Sequence, residues 1–200
     1  MPKPATKSNP TLTTAVAAAN AGRRLPAWSM VGTLFLLTIA LYWPATGFDF
    51  LNVDDPTFVT SNPHVQGGLN WGAVKWAFRL DAGDYWHPAT WLSLMLDVNF
   101  YGQRAGGFHF TNVALHAANG VLLFLLLQAL TGARWRSLVV AALFVFHPLR
   151  VESVAWVAER KDVLSGFFGL LALIAYACYA DKTKVRGPRP EVRSQVAGCQ

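Results

Sequence analysis

Four apolar runs, residues 27–43, 112–130, 133–149 and 163–180, constrain this chain more than any other feature. Each is at or near the roughly 17–25 residues that cross a bilayer. The third is interrupted in its first turn by Arg134 and Arg136. Only 14% of the 200 residues are charged, against about 25% in ordinary soluble domains. That deficit belongs to a chain whose surface faces lipid. The expected fold class is an all-α polytopic membrane protein with about four transmembrane helices.

Charge orients these spans. Basic residues gather before the first (Lys3, Lys7, Arg23, Arg24), between the second and third, and after the fourth, with only Asp181 and Glu191 among them. The positive-inside rule then places both termini in the cytoplasm, with residues 44–111 and 147–162 as exoplasmic loops. The net charge of +6 is thereby an orientation signal, and no nucleic-acid partner is expected. Residues 1–26 and 181–200 read as a disordered N-terminus and a basic cytoplasmic tail. Some 25 mostly polar residues before the first run favour a signal anchor over a cleaved signal peptide. Cys178 and Cys199 form no disulfide or metal pattern.

The first loop is dense in aromatics, Trp71, Trp76, Trp86, Trp91 and Phe100 among them, as suits the headgroup layer. Within it, 70–80 and 89–100 are expected to form short membrane-parallel helices, the second carrying Asp97.

Four polar clusters compete with structural explanations. In FDFLNVDDP, Asp55 before Pro56 fits a helix N-cap. Capping leaves Asp54 unexplained, and either acid could serve as a general base or metal ligand. His87, before Pro88, is a loop-tip histidine or a substrate contact. His109, Asn112, His116 and Asn119 share an arc of about 80° on one helix face. They are interhelical glue or a functional surface, and in both cases the face points into protein. The two histidines, about 10 Å apart along a straight helix, are too far apart for one ion.

The fourth cluster, HPLRVESVAWVAERKD at 147–162, holds six charged side chains between two apolar runs. Residues 151–163 are expected to form a short helix with Glu152 and Glu159 on one face and Trp156 packed. Such charges can be a solvated hairpin of little energetic worth. Alternatively, Arg160 and Lys161 suit a phosphate, one by bidentate bonding and the other as a point charge.

In this order, FDFLNVDDPTFVTSNPHV, YWHPATWLSLMLD, GFHFTNVALHAANG and HPLRVESVAWVAERKDVLS resemble bacterial membrane proteins with C-terminal tetratricopeptide repeats. Those are similar to the eukaryotic transmembrane-and-tetratricopeptide O-mannosyltransferases. The resemblance covers about residues 28–180 and implies a GT-C glycosyltransferase. Such an enzyme takes a sugar from a polyprenyl-phosphate carrier on the exoplasmic side, here of a bacterial inner membrane, and passes it to a protein hydroxyl. It implies Asp54, with Asp55 as second choice, as the base. Arg160 and Lys161 would hold the donor phosphate, assisted by His109 or His87, with Glu152 orienting Arg or His side chains. Trp86, Trp91 and Trp156 would stack on sugar or line the prenyl groove. A divalent cation (Mg or Mn) at Asp54 or Asp55 is compatible with the superfamily but not required by the sequence. Family members carry many more spans and then repeats. The 200 residues therefore correspond to an Asp-bearing N-terminal portion, expected to be completed by further helices or a partner chain. The rival expectations are a non-catalytic remnant or assembly subunit and, more weakly, a small transporter using the His/Asn face.

Overall fold

A computed structural model describes residues 26–80 and 86–186 of the chain, and among them there are helices and turns but no strand. The expected irregular end 1–25 and the last residues of the basic tail, 187–200, lie outside the described residues. Helix α1 (Ala27–Tyr42) runs on through a 3-10 turn, Trp43–Gly47, giving a 21-residue apolar segment. Three short helices follow in the first loop: α2 (Pro63–Gln66), α3 (Trp71–Ala77) and α4 (Pro88–Tyr101). Then come α5 (Ala105–Thr131), α6 (Arg134–Phe146), α7 (Val151–Ala155) and α8 (Arg160–Arg186).

Three of these segments, Ala27–Gly47, Ala105–Thr131 and Arg160–Lys182, are long and apolar enough to cross a membrane. The expected fourth span is different. Helix α6 has 13 residues, about 20 Å at 1.5 Å per residue, short of the roughly 30 Å hydrocarbon layer. His147 turns extended, as a residue before proline does. Pro148 starts a 3-10 turn at a 54° bend, so α6 and the Pro148–Ala155 segment make one crossing only if the bent pair counts as one. The other boundaries shift as well. Helix α5 begins at Ala105 rather than 112, and α8 begins at Arg160 and runs to Arg186, into the expected tail. The single helix expected at 151–163 is broken at residues 156–159, between α7 and α8.

Helix α5 is the central post, touching α1, α4, α6, α7 and α8. Met30 and Leu34 of α1, Phe124 of α5, and Ala141 and Val145 of α6 form one apolar core. Gly132, at φ 68°, takes the left-handed conformation that lets the chain reverse from α5 into α6. Gly120 lets α6 approach: a Cβ there would lie 2.3 Å from Val145 Cγ1. The first loop has a core of its own, in which Val59, Val65, Ala73, Ala77, Leu94 and Met95 surround Trp91 and reach Phe108 and Val157. It is a packed cap on one end of the bundle. The outward faces of α1 and α8, with Leu36, Leu37, Phe168, Leu173 and Tyr176, stay exposed as lipid-facing surfaces do.

Candidate functional site

Two charged ties join the first loop to the 147–162 segment. Asp55 is fully buried. Its backbone is helical, as a residue entering the Pro56–Thr60 turn should be, but its side chain makes no cap bond there. The carboxylate turns back to accept from Leu51 N–H at 2.8 Å and across to accept from Ala158 N–H at 2.9 Å. The N-cap expectation is thus corrected: Asp55 is a clasp between two loops 103 residues apart. Burial pushes its carboxyl above the ordinary carboxylate value, against the pull of the two amides and of His109.

The second tie is Arg160, also fully buried. Its guanidinium donates to Asp97 Oδ2 at 2.7 Å, to Ser93 Oγ at 2.8 Å, to the Phe108 carbonyl at 2.8 Å, and to Asn112 Oδ1. Asp97 in turn accepts from Thr111 at 2.8 Å. Burial pushes the Asp97 carboxyl up, and the Arg160 charge opposes that. The expectation that Arg160 meets a donor phosphate is corrected by this geometry, because a guanidinium spent on four protein acceptors presents no face to a ligand. It pins α4 to α5 and α8 instead. A lone acid in an apolar helix was the available signal, since a buried charge needs a partner.

Helix α5 presents its polar face inward. His109, Asn112, His116 and Asn119 are all at most 2% exposed. Asn112 donates to the Trp156 carbonyl at 2.9 Å, Asn119 to the Val163 carbonyl at 2.8 Å, and His116 Nε2 lies 3.1 Å from the Val145 carbonyl. These three act as interhelical glue, capping backbone groups where α7, α8 and α6 break or begin.

His109 differs. It lies on the wall of a groove of about 600 Å³ between residues 47–51 and Val151–Trp156. Asp49, Glu152, Phe48, Phe50 and Trp156 also line it. The Phe48 ring stands edge-on to His109 at 6.2 Å. The Asp49 and Ala155 carbonyls lie within hydrogen-bonding reach of the imidazole. The groove is a concave, mostly apolar feature at the capped end, and Asp49 in it was not among the expected site residues.

The remaining expected residues scatter. Asp54 is exposed, three residues beyond the groove-lining Leu51. Lys161 is part-exposed and paired with Glu159 at 2.6 Å. His87 is half-buried at the start of α4, where its carbonyl accepts from Trp91 N–H at 3.0 Å. Asp54, Lys161 and His87 do not line the groove. Among the described residues no three His, Cys, Asp or Glu side chains converge, and both Asp55 oxygens already hold backbone amides.

The chain is 32% identical over 158 residues to the protein O-mannosyl-transferase tmtc2 of Xenopus laevis, covering 76% of this chain and 18% of that one. It is 32% identical to Tmtc2 of Drosophila melanogaster over 148 residues, 70% of this chain and 16% of that one. With human TMTC4 it is 29% identical over 176 residues, 76% of this chain and 23% of that one. The chain thus spans about a fifth of the length of these curated relatives. No family model matches it, and no solved structure does. This all-helical membrane protein is a relative of the protein O-mannosyl-transferases.

Proposed function

We propose that the chain is part of a membrane glycosyltransferase that moves a sugar from a polyprenyl-phosphate carrier to a protein hydroxyl on the exoplasmic side. The observation that carries this reading is the groove at the capped end of the bundle, between the loop after α1 and the segment after α6. The relatives' name supplies the reaction class. In such a transfer a carboxylate takes the proton of the acceptor hydroxyl as its oxygen bonds to the anomeric carbon. The bond from that carbon to the phosphate oxygen breaks, and the lipid phosphate leaves with the electron pair. Asp54 is our choice for the base, being exposed near the groove. Asp55 holds the loop beneath it. Lys161, partly exposed, is the expected cation that remains for the phosphate. Both termini would lie in the cytoplasm of a bacterial inner membrane.

The test is sugar transfer from a labelled polyprenyl-phosphate sugar to protein in membranes carrying the chain. Asp54→Ala should abolish transfer while leaving the protein folded, and unchanged transfer would refute the assignment. A non-catalytic role as a remnant or assembly subunit is favoured by one observation. Two of the expected site residues, Asp55 and Arg160, are both committed to holding the fold. Donor binding without transfer in the wild type would decide for that reading.

A further inference from the structure

We infer that the outward face of α6 meets a locally thinned bilayer, in which Arg150 draws a phospholipid headgroup phosphate inward beside the last turn of that helix. The first sign is a mismatch of lengths. The Ala27–Gly47 and Arg160–Lys182 segments have 21 and 23 residues. At 1.5 Å per residue they are about 31 and 34 Å long, which matches a hydrocarbon layer of roughly 30 Å. Helix α6 packs in the same core as α1, yet its 13 residues reach only about 20 Å. Val139, Val140 and Leu143 on its outward side are exposed, so what surrounds them lies outside the described residues.

The second sign is charge at both ends of that face. Arg134 and Arg136 are exposed in the first turn and flank exposed Trp135, a mixture that suits a headgroup layer. At the other end the chain bends by 54°, and the Pro148–Ala155 limb brings exposed Arg150 and Glu152. That limb does not extend the apolar face. A long basic side chain near a membrane surface ordinarily reaches outward to the headgroups. Arg150 reaches back instead: its guanidinium stacks over the Phe144 ring at 4.5 Å, one turn on from Val140. Among the described residues no carboxylate pairs with Arg134, Arg136 or Arg150. From Arg136 to Phe144 is about 12 Å of helix, less than half the hydrocarbon thickness. A cation facing lipid at depth is costly, and the cost is relieved where the bilayer thins around it. A span shorter than its surroundings draws the same response. Both features belong to one helix, and the anion that a thinned leaflet brings to Arg150 is a headgroup phosphate, which a guanidinium holds by bidentate bonds.

The experiment places a nitroxide label at Val139→Cys or Leu143→Cys, one turn apart on α6, or at Leu36→Cys, exposed near the middle of Ala27–Gly47. The full chain carries Cys178→Ser and Cys199→Ser and is reconstituted in long-chain phosphatidylcholine and phosphatidylglycerol. Label relaxation is read with a nickel-chelating lipid in both leaflets and with oxygen, and circular dichroism verifies the fold of each variant. Nickel should relax both α6 labels severalfold more than the Leu36 label. Arg150→Gln, at an exposed position, should move the Leu143 label most of the way to the Leu36 value and leave the Val139 label near its own. In short-chain lipids, thin around the whole bundle, the Arg150→Gln effect should fade. If either α6 label lies as deep as Leu36 in the parent chain, the bilayer is not pinched there and the inference is overturned. An Arg150→Gln chain with an unmoved Leu143 label overturns it too, since no phosphate is then held at Arg150. If the α6 labels are shielded from nickel and oxygen alike, further helices or a second copy cover the face and lipid does not. None of these readings involves sugar or its transfer, so the transferase reading stands or falls separately.

Discussion

Asp97→Ala would test the frame that holds the capped end together. In the wild type the Arg160 guanidinium is 0% exposed, its charge is met by one carboxylate at 2.7 Å, and Asp97 itself is 5% exposed. The substitution leaves Ser93, Asn112 and the Phe108 carbonyl in place. These acceptors are neutral and cannot balance a full charge in a buried space. Breaking a buried pair from one side costs about 3–5 kcal/mol, a large part of the roughly 5–15 kcal/mol that stabilises a typical domain. Thr111 adds little to the loss, since it retains the Gly107 carbonyl at 3.2 Å. The measurement is reversible unfolding in mixed micelles followed by helical circular dichroism, alongside hydrogen exchange. Helix α4 should lose protection before α5, because the pair is its tie to the bundle. The double variant Asp97→Leu with Arg160→Met should recover most of the loss, as apolar replacements of buried pairs often do. A cost below about 1 kcal/mol for the single change, or a double variant no better than it, would refute the claim that this charge is desolvated and paired.

Asp55→Asn should cost about 1–3 kcal/mol, because the amide can accept from only one of the Leu51 and Ala158 N–H groups and leaves the other facing an NH₂; chemical denaturation measures it, and no loss would mean the clasp is not made. The Asp55 carboxyl, raised by burial above the ordinary carboxylate value, takes up a proton in the folded state before the unfolded state does as pH falls. Its contribution to stability is therefore full below that value and is lost as pH rises through its higher folded value, and Asp55→Asn should flatten that slope in a pH series. Gly120→Ala should destabilise by about 1–3 kcal/mol through overpacking against Val145, and Val145→Ala in that background should restore most of it. A neutral Gly120→Ala would mean that α5 and α6 are not so close.

What could be read from the sequence follows from the range of each rule. The inward face of α5 was legible because its four polar residues recur at the helical period, and periodicity is a local property. Span ends were less so. Hydropathy cannot see that α5 keeps its backbone bonds through Arg104-Ala105-Gly106, nor that Pro148 ends α6 early. The N-cap rule failed at Asp55 for a related reason: it knows the following proline but not the unpaired Ala158 amide 103 residues away. The Asp97–Arg160 pair lies 63 residues apart, so a lone acid in an apolar helix signals a partner without saying which residue it is.

These failures run in one direction. Charged residues that stand out against apolar sequence, such as Asp55 and Arg160, are the ones a membrane-embedded fold must neutralise internally, because a buried unpaired charge is more costly there than anything else the chain can do. They are therefore drawn into structure. Asp49, in the loop after α1, and Glu152, in the short helix α7, are left facing the groove. In a chain of this kind the charge most conspicuous in sequence is the poorer guide to the site.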